Sequence, residues 1–475
     1  MQGIQYAYYY NAKKTAPTPS PSITPPSFTP LELLHFFVQL LPGPALLRLP
    51  ALQSQDFYHR LFSPVVSLWY LLFQRLHADH TLDAALADAR RGGGDRLNKK
   101  LSRGLRSDST CSYSLARRRL PWEFLAQALT LQAGKIIGFS PTVLWKGRVL
   151  ALLDGSTVRL RPYGNIGQEF GAAANQHGKG YWCLMRVVVC FCAGCGAALD
   201  CALGSIHVSE QAMACEIMLR CTARSLFMGD RNFGVFRVVQ AAQQAGHEVL
   251  LRLTDRRARR LLGRALRPGA YKVAWAPTPK DQLQPKGRKE AVSGRLLVWR
   301  VQQRGFRGQQ LCLFTTLPDT PEFGLEELAR VYGWRWHIEL NLRYLKAQMD
   351  LAQLEAKSAE MARKEWLAGL LAYNLIRAAQ LCAALQQAIS PLQLSFSSAR
   401  RRLEDWLRQF HHQPRRNLAR WEQALQSMSR CRHPTRRKAR PHEPRAQRHL
   451  RLPYAALFGS RAQARRQLKK YAGKS

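Results

Sequence analysis

Acidic residues are scarce: 31 Asp and Glu stand against 72 Lys and Arg in 475 residues, a formal net charge of +41. That excess goes beyond what solubility requires and points to a polyanionic partner, of which nucleic acid is the commonest. An unbroken apolar run is also missing. The most apolar window, Trp182–Leu203, is long enough to span a bilayer but carries Arg186 and Asp200 and is interrupted by Gly194–Cys195–Gly196. Two strands and a turn explain it better, and with no basic amphipathic anchor in view no membrane partner is expected. Zinc ligands are lacking as well. Of 11 cysteines, Cys192 and Cys195 form one CxxC, and neither a second pair nor a nearby His completes four ligands. Buried thiols on apolar strands, in a reducing cytoplasmic compartment, are the preferred reading. No secretory architecture is visible. Tyr6–Tyr10 gives way to the Pro-, Ser- and Thr-rich Thr15–Thr29. Residues 1–30 are read as a disordered leader, with an extension upstream of the true start as the alternative.

What is present suffices for two or three domains with full-sized cores. Leu31–Leu49, Ser67–His77 and Leu82–Asp88 show helical spacing, and a loop, Arg90–Asp95, follows. Ser109–Leu120 reads as a basic helix capped by Ser109, with Pro121–Leu131 as its partner. This predicts a helical DNA-binding domain over 31–145, with Arg117, Arg118 and Arg119 facing a phosphate backbone. The turn is too unspecific to assert a helix-turn-helix. From Val149 the period changes. Val149–Leu160, Trp182–Cys192 and Ala197–Leu203 read as strands, the last two as a hairpin. A helix Ser209–Cys221, a strand Leu226–Met228, a helix Val235–Ala245 and a strand Glu248–Leu253 follow. Arg267–Thr316 is again strand-like, with basic loops around Lys280–Lys289. The order implies a mixed sheet flanked by helices, over 146–389. A long helical stretch, Glu322–Ile389, precedes a basic region, 390–475, helical or disordered. Its runs Arg400–Arg402 and Arg436–Arg440 suggest only DNA or solvent as neighbours.

Within that helical stretch, Val331, Trp334, Ile338, Leu342, Leu345 and Met349 form an apolar stripe that would dock on a core. At ~100° per residue, with Tyr332 as zero, Arg335, Glu339 and Lys346 fall near about −60°, −20° and −40°. One carboxylate is thereby presented on a half-buried helix among cationic and hydrogen-bonding groups. A surface helix with charge pairs is the plain alternative. Two aspartates stand where strands are expected to end: Asp154, opening Asp154-Gly155-Ser156-Thr157, and Asp230, opening Asp230-Arg231-Asn232-Phe233-Gly234. Each alone could be a turn residue. With Glu339 they make three carboxylates delivered by two strands and a helix. Hard divalent ions take oxygen ligands, and a pair of them suits in-line phosphodiester chemistry.

These residues resemble those of the DDE transposases of bacterial insertion sequences, specifically the insertion-sequence-four family. Its Tyr–Arg–Glu–Lys signature is matched by Tyr332, Arg335, Glu339 and Lys346. Leu153-Asp154-Gly155-Ser156-Thr157 and Asp230-Arg231-Asn232-Phe233 resemble its two aspartate motifs, although Asn232 stands where relatives often have Gly or Ala. Leu371–Arg377 is similar to the helix after the signature, and Ser112–Leu120 to the N-terminal domain. The resemblance spans roughly Leu82–Arg377. It implies a ribonuclease-H-like core with a mostly β insertion at about 256–316. It further implies two Mg²⁺ ions, or Mn²⁺ in their place, bound by Asp154, Asp230 and Glu339. Tyr332, Arg335 and Lys346 would contact phosphates at the element's ends. The implied partners are the terminal inverted repeats and target DNA, met as a homodimer in a bacterial cytoplasm. Trp275 and Trp299 are candidates to stack on a flipped base, with core packing the better reading of each. Whether a hairpin forms at the cut end stays open. So do two other readings: a catalytically silent DNA-binding derivative, and a nuclease without strand transfer.

Overall fold

The computed structural model describes residues 33–53, 60–175, 178–282, 290–301, 309–409, 417–433 and four positions between 460 and 466. The leader 1–30, most of the basic loop around Lys280–Lys289 and the run Arg436–Arg440 lie outside the described residues. The N-terminal part is helical: α1 (Leu33–Leu40), α2 (Pro64–Leu76), α3 (Leu82–Arg90), α4 (Cys111–Arg119) and α5 (Trp122–Gly138). Local chemistry sets the starts. Ser63 Oγ accepts from the Val66 amide at 3.4 Å with Pro64 in the first turn, and Thr81 Oγ1 accepts from Ala84 at 3.1 Å. The helical spacing over Leu31–Leu49 is punctuated at Pro42, after which a short helix runs Gly43–Leu47. Ser109 lies one residue too early to cap α4. Thr110 is the capping position and makes no side-chain cap bond, while Ser109 Oγ accepts from Cys111 at 3.3 Å.

Ten strands form one sheet. They are β1 (Val149–Leu160), β2 (Ala172–Asn175), β3 (Gly178–Cys192), β4 (Ala198–Ser205), β5 (Ser225–Gly229), β6 (Glu248–Leu253), β7 (Gly269–Trp275), β8 (Val292–Val301), β9 (Gln309–Thr315) and β10 (Gln353–Leu354). The principal path is β2-β3-β1-β5-β6-β9-β8-β7, with β4 also on β3 and β10 on β1. β3 runs antiparallel to β1 and β4, whereas β1, β5 and β6 are mutually parallel. Helices α6 (Glu210–Arg220) and α7 (Phe236–Gln244) make the crossovers to β5 and β6. This is the mixed sheet flanked by helices that the order of elements in the sequence implies. The strands read as an insertion do not form a sheet of their own, because β9 pairs with β6 and β8 and β7 carry the main sheet outward.

The stretch expected to be helical over Glu322–Ile389 is three helices: α8 (Leu325–Gly333), α9 (Trp336–Arg343) and α10 (Ala359–Leu385). Helix α10 starts where Ser358 Oγ accepts from Met361 at 3.2 Å. Its length and composition would let it cross a membrane, but its apolar window is 100% buried inside the protein. It is the central post of the core. α2 and α5 pack on it, with Gln132 Nε2 donating to the Leu371 carbonyl at 3.2 Å and Arg75 paired with Glu365 at 3.1 Å. The basic C-terminal region also has a protein neighbour, contrary to expectation. Helices α11 (Phe396–Gln409) and α12 (Asn417–Arg430) place Phe396, Leu403, Trp406, Trp421 and Met428 in the core. Their apolar residues recur at helical spacing beneath the arginines, so one face docks while the other stays charged. Buried side chains from Leu33 to Met428 make one cluster.

Candidate active site

Strand register brings the two aspartates together. β1 and β5 run parallel, and their last paired residues are Leu152 and Met228. Two residues further along each strand, Asp154 comes level with Asp230, and side chains at matched register in neighbouring strands project from the same face. β5 ends at Gly229, but β1 continues to Leu160, paired throughout with β3. Asp154 is therefore inside a strand, opposite Val189, rather than at its end. The Asp-Gly pair suggested a turn; the long partner strand β3 carries β1 straight through it. On the other edge, β1 regains a partner only where Arg159 and Leu160 meet Gln353 and Leu354 of β10. Among the described residues, this leaves a notch in the sheet between β5 and β10, and α9 packs beside it.

The signature residues reach this notch along a helix that is not regular. Trp334, Arg335, His337 and Ile338 donate backbone hydrogen bonds three residues back, which tightens the turn after Gly333. Met349 donates five residues back to the Tyr344 carbonyl, so the turn carrying Lys346 is π-helical. The ideal wheel thus misplaces individual angles, yet the groups still converge. Tyr332 is buried and donates its hydroxyl hydrogen to the Gly229 carbonyl at 3.2 Å, beside Asp230. Arg335 Nη2 lies 3.4 Å from Glu339 Oε1.

Electrostatics tie the carboxylates together. Burial pushes the Asp154 carboxyl up from 3.8 to about 6. The Gly155 amide, at 2.9 Å, and Arg335 oppose the shift, while Asp230 and Glu210 add to it. Burial also raises the Glu339 carboxyl, against Arg335. The Tyr332 phenol is pushed up to about 12, again by burial first. Burial alone would lower the Arg335 guanidinium, but Tyr332, Glu339, Asp154 and Asp230 together raise it. The Lys346 ammonium is lowered by burial and by the nearby cation Arg159, with Asp154 acting the other way. Arg335 therefore interacts with all three acids, and Lys346 lies within electrostatic reach of both Arg159 and Asp154.

Sequence reasoning missed two residues here. Arg159 lies five positions beyond Asp154 on β1, exposed, with its guanidinium 5.8 Å from the Trp182 ring. Glu210 was read only as part of a helix start; it sits against Gly155 and accepts from Asn232 Nδ2 at 2.6 Å. A shared helical period could not reveal either one, because both meet the site across the sheet. The three arginines of α4 lie elsewhere, against α10. Arg117 is four residues after the buried Tyr113 and so turns inward to Glu365, at 3.4 Å, whereas Arg118 and Arg119 are exposed. Trp275 packs edge-on against Phe314, with ring centroids 4.9 Å apart, and Trp299 packs against the same core, as core packing predicts.

Asp154, Asp230 and Glu339 offer oxygen donors only, the set that hard divalent ions prefer. Burial is what chiefly raises the Asp154 carboxyl, and a bound cation would oppose that shift. Among the described residues no three acidic, imidazole or thiol groups are gathered closely enough to enclose an ion. An ion would draw these three together in competition with Arg335.

In class, this is a mixed α/β domain with two carboxylates level with one another on adjacent parallel strands. Residues 145–375 match the family described as "Transposase DDE domain". The transposase InsG for insertion sequence element IS4 of Escherichia coli (strain K12) is 25% identical over 289 residues, covering 60% of this chain and 64% of that protein. The chain thus spans under two thirds of that relative's length. A cryo-EM structure of the piggyBac transposase synaptic complex with hairpin DNA aligns with a TM-score of 0.42 at 9% identity over 88% of each chain. Residues 145–375 are thus similar to a DDE transposase domain, and the chain resembles a transposase of the insertion-sequence-four type.

Proposed function

We propose that the protein is a DNA transposase that cleaves the ends of an insertion sequence and joins the freed 3′-OH to target DNA. The observation that carries this reading is the register match of Asp154 with Asp230, with Glu339 brought to the same notch by the signature helix. In this reading Asp154, Asp230 and Glu339 hold two Mg²⁺ ions, or Mn²⁺. Bound there, the ions would activate the attacking oxygen and stabilise the leaving one. The chain's own cations do the rest. Arg335 grips a phosphate bidentately once it is drawn from Glu339, and Lys346 and Arg159 supply point charges beside it. Tyr332 acts through its hydroxyl on the Gly229 carbonyl, fixing the helix to the end of β5. A basic chain that bends DNA at such a notch is suited to a hairpin intermediate.

The proposed partners are the element's own terminal inverted repeats and target DNA, engaged as a homodimer in the bacterial cytoplasm and at the nucleoid, with no membrane involved. Residues 31–145, with Arg118 and Arg119 at their surface, are proposed to recognise the ends, 146–389 to catalyse, and 390–475 to add affinity. The test is incubation of a labelled element end with supercoiled target and Mg²⁺. Strand-transfer products support the proposal. Nicking alone would reassign the protein as a nuclease, and binding without cleavage would make it a silent derivative.

A further inference from the structure

We infer that Glu210 is a fourth acidic residue of the site, a positioning residue that holds Asp230 in place through Asn232. The inference rests on the reading that Asp154, Asp230 and Glu339 bind divalent metal. Glu210 is the first residue of α6, a helix start fixed by Ser209 Oγ accepting from Ala212 at 3.2 Å. From there its Oε2 accepts from Asn232 Nδ2 at 2.6 Å. The neighbouring Gln211 Nε2 donates to Asn232 Oδ1 at 2.8 Å and to the Asn232 carbonyl at 3.1 Å. Both ends of the Asn232 amide are therefore held from α6. The Asn232 backbone N–H in turn donates to Asp230 Oδ1 at 2.8 Å. A residue without a side chain, such as Gly, at 232 would keep that last bond but lose its tether to α6.

The same carboxyl reaches the other aspartate's strand. A Cβ built on Gly155 would overlap the Glu210 carboxyl, so glycine beside Asp154 makes room for it. Glu210 thus bridges the segments that carry Asp154 and Asp230. Its charge is unusual in its setting. Among the described residues Glu210 forms no ion pair, although 72 Lys and Arg are available in the chain, and it lies within electrostatic reach of Asp154. The first turn of a helix favours a carboxylate, and here that carboxylate also holds the Asn232 amide.

The experiment titrates the full-length protein with Mn²⁺ in the absence of DNA, by calorimetry, for wild type, E210A, E210Q, N232A and D230A. Outer residues that orient a ligand change metal affinity about 10–100-fold. E210A and N232A are expected to weaken Mn²⁺ binding by about tenfold. E210Q keeps an acceptor for Asn232 and is expected to recover most of that loss. Wild-type affinity in E210A or N232A overturns the inference, and so does E210Q binding as weakly as E210A. If E210A does not fold, by circular dichroism, E210Q and N232A still decide. Wild-type affinity in D230A would instead overturn the metal-site reading beneath it.

Discussion

The hydroxyl of Tyr332 and the carbonyl of Gly229 are joined across 3.2 Å, so the signature helix is tied to the residue that precedes Asp230. The bond fixes one element of the site against another whose residues lie 103 positions away in sequence. Because both groups are buried, removing the donor leaves an unpaired carbonyl. Tyr332→Phe is expected to cost about 1–3 kcal/mol of stability, measured by denaturant unfolding. A cost near zero would show that the bond does not fix the helix.

Asp154→Ala, Asp230→Ala and Glu339→Ala are each expected to lower end cleavage by on the order of 10³-fold, with DNA affinity largely unchanged. Single-turnover cleavage and electrophoretic mobility shift measure the two quantities. Normal cutting by Glu339→Ala would remove it from the site.

Asp154 also predicts a pH dependence. Its carboxyl is raised to about 6 in the folded chain, against an ordinary 3.8. The native state therefore holds this proton more tightly than the unfolded state does. The contribution is complete below pH ~4, is lost as pH rises through ~6, and amounts to at most roughly 3 kcal/mol. Without divalent metal, D154N should be more stable than wild type at pH 7.5 and should lack that loss. Melts at pH 4.5 and 7.5 with EDTA check it; equal stability of the two proteins at both values would refute it.

On the proposed reading, Lys346→Ala and Arg159→Ala remove phosphate grips, not metal ligands, since a cation has donors only. Both should keep Mn²⁺ binding and some first-strand nicking while losing later products, hairpin ends among them. A time course on denaturing gels separates the steps. Equal loss at nicking and at every later step would assign these residues to general substrate positioning.

The C-terminal region should divide at about residue 433. Truncation there removes basic sequence beyond the helix that holds Trp421. It should reduce affinity for random DNA and flatten the salt dependence, because fewer counterions are released on binding. Truncation at 395 also deletes Trp406 and Trp421 from the core and should unfold the protein. Filter binding against salt, with circular dichroism, tests both. Loss of end preference in the shorter truncation would move recognition into the tail.

Much of the site was legible in the sequence, and its limits follow from range. Tyr332, Arg335, Glu339 and Lys346 share a helical face that a local period reveals, even though a tight turn and a π turn distort it. The start of α6 at Ser209, and the β3–β4 hairpin, are likewise local and stand as read. The position of Asp154 within β1 is not local. It depends on β3, whose pairing holds the strand extended through Asp154-Gly155. The docking of α11 and α12 was hidden by their arginines, because composition outweighs a buried stripe of Phe396, Leu403 and Trp406 when charge is summed. Arg117 shows the reverse. Its charge suggested DNA, but its place one turn from buried Tyr113 delivers it to Glu365.

The Arg75–Glu365 pair joins residues 290 positions apart, at the seam where α2 lies on α10. A ribosome adding ~5–20 residues per second takes roughly 15–60 s between the two. Until that interval ends, α2 and then α5 exist without the helix that covers them. A chain interrupted anywhere before α10 would thus yield not a weakened protein but a sticky fragment, inclined to aggregate or to be degraded.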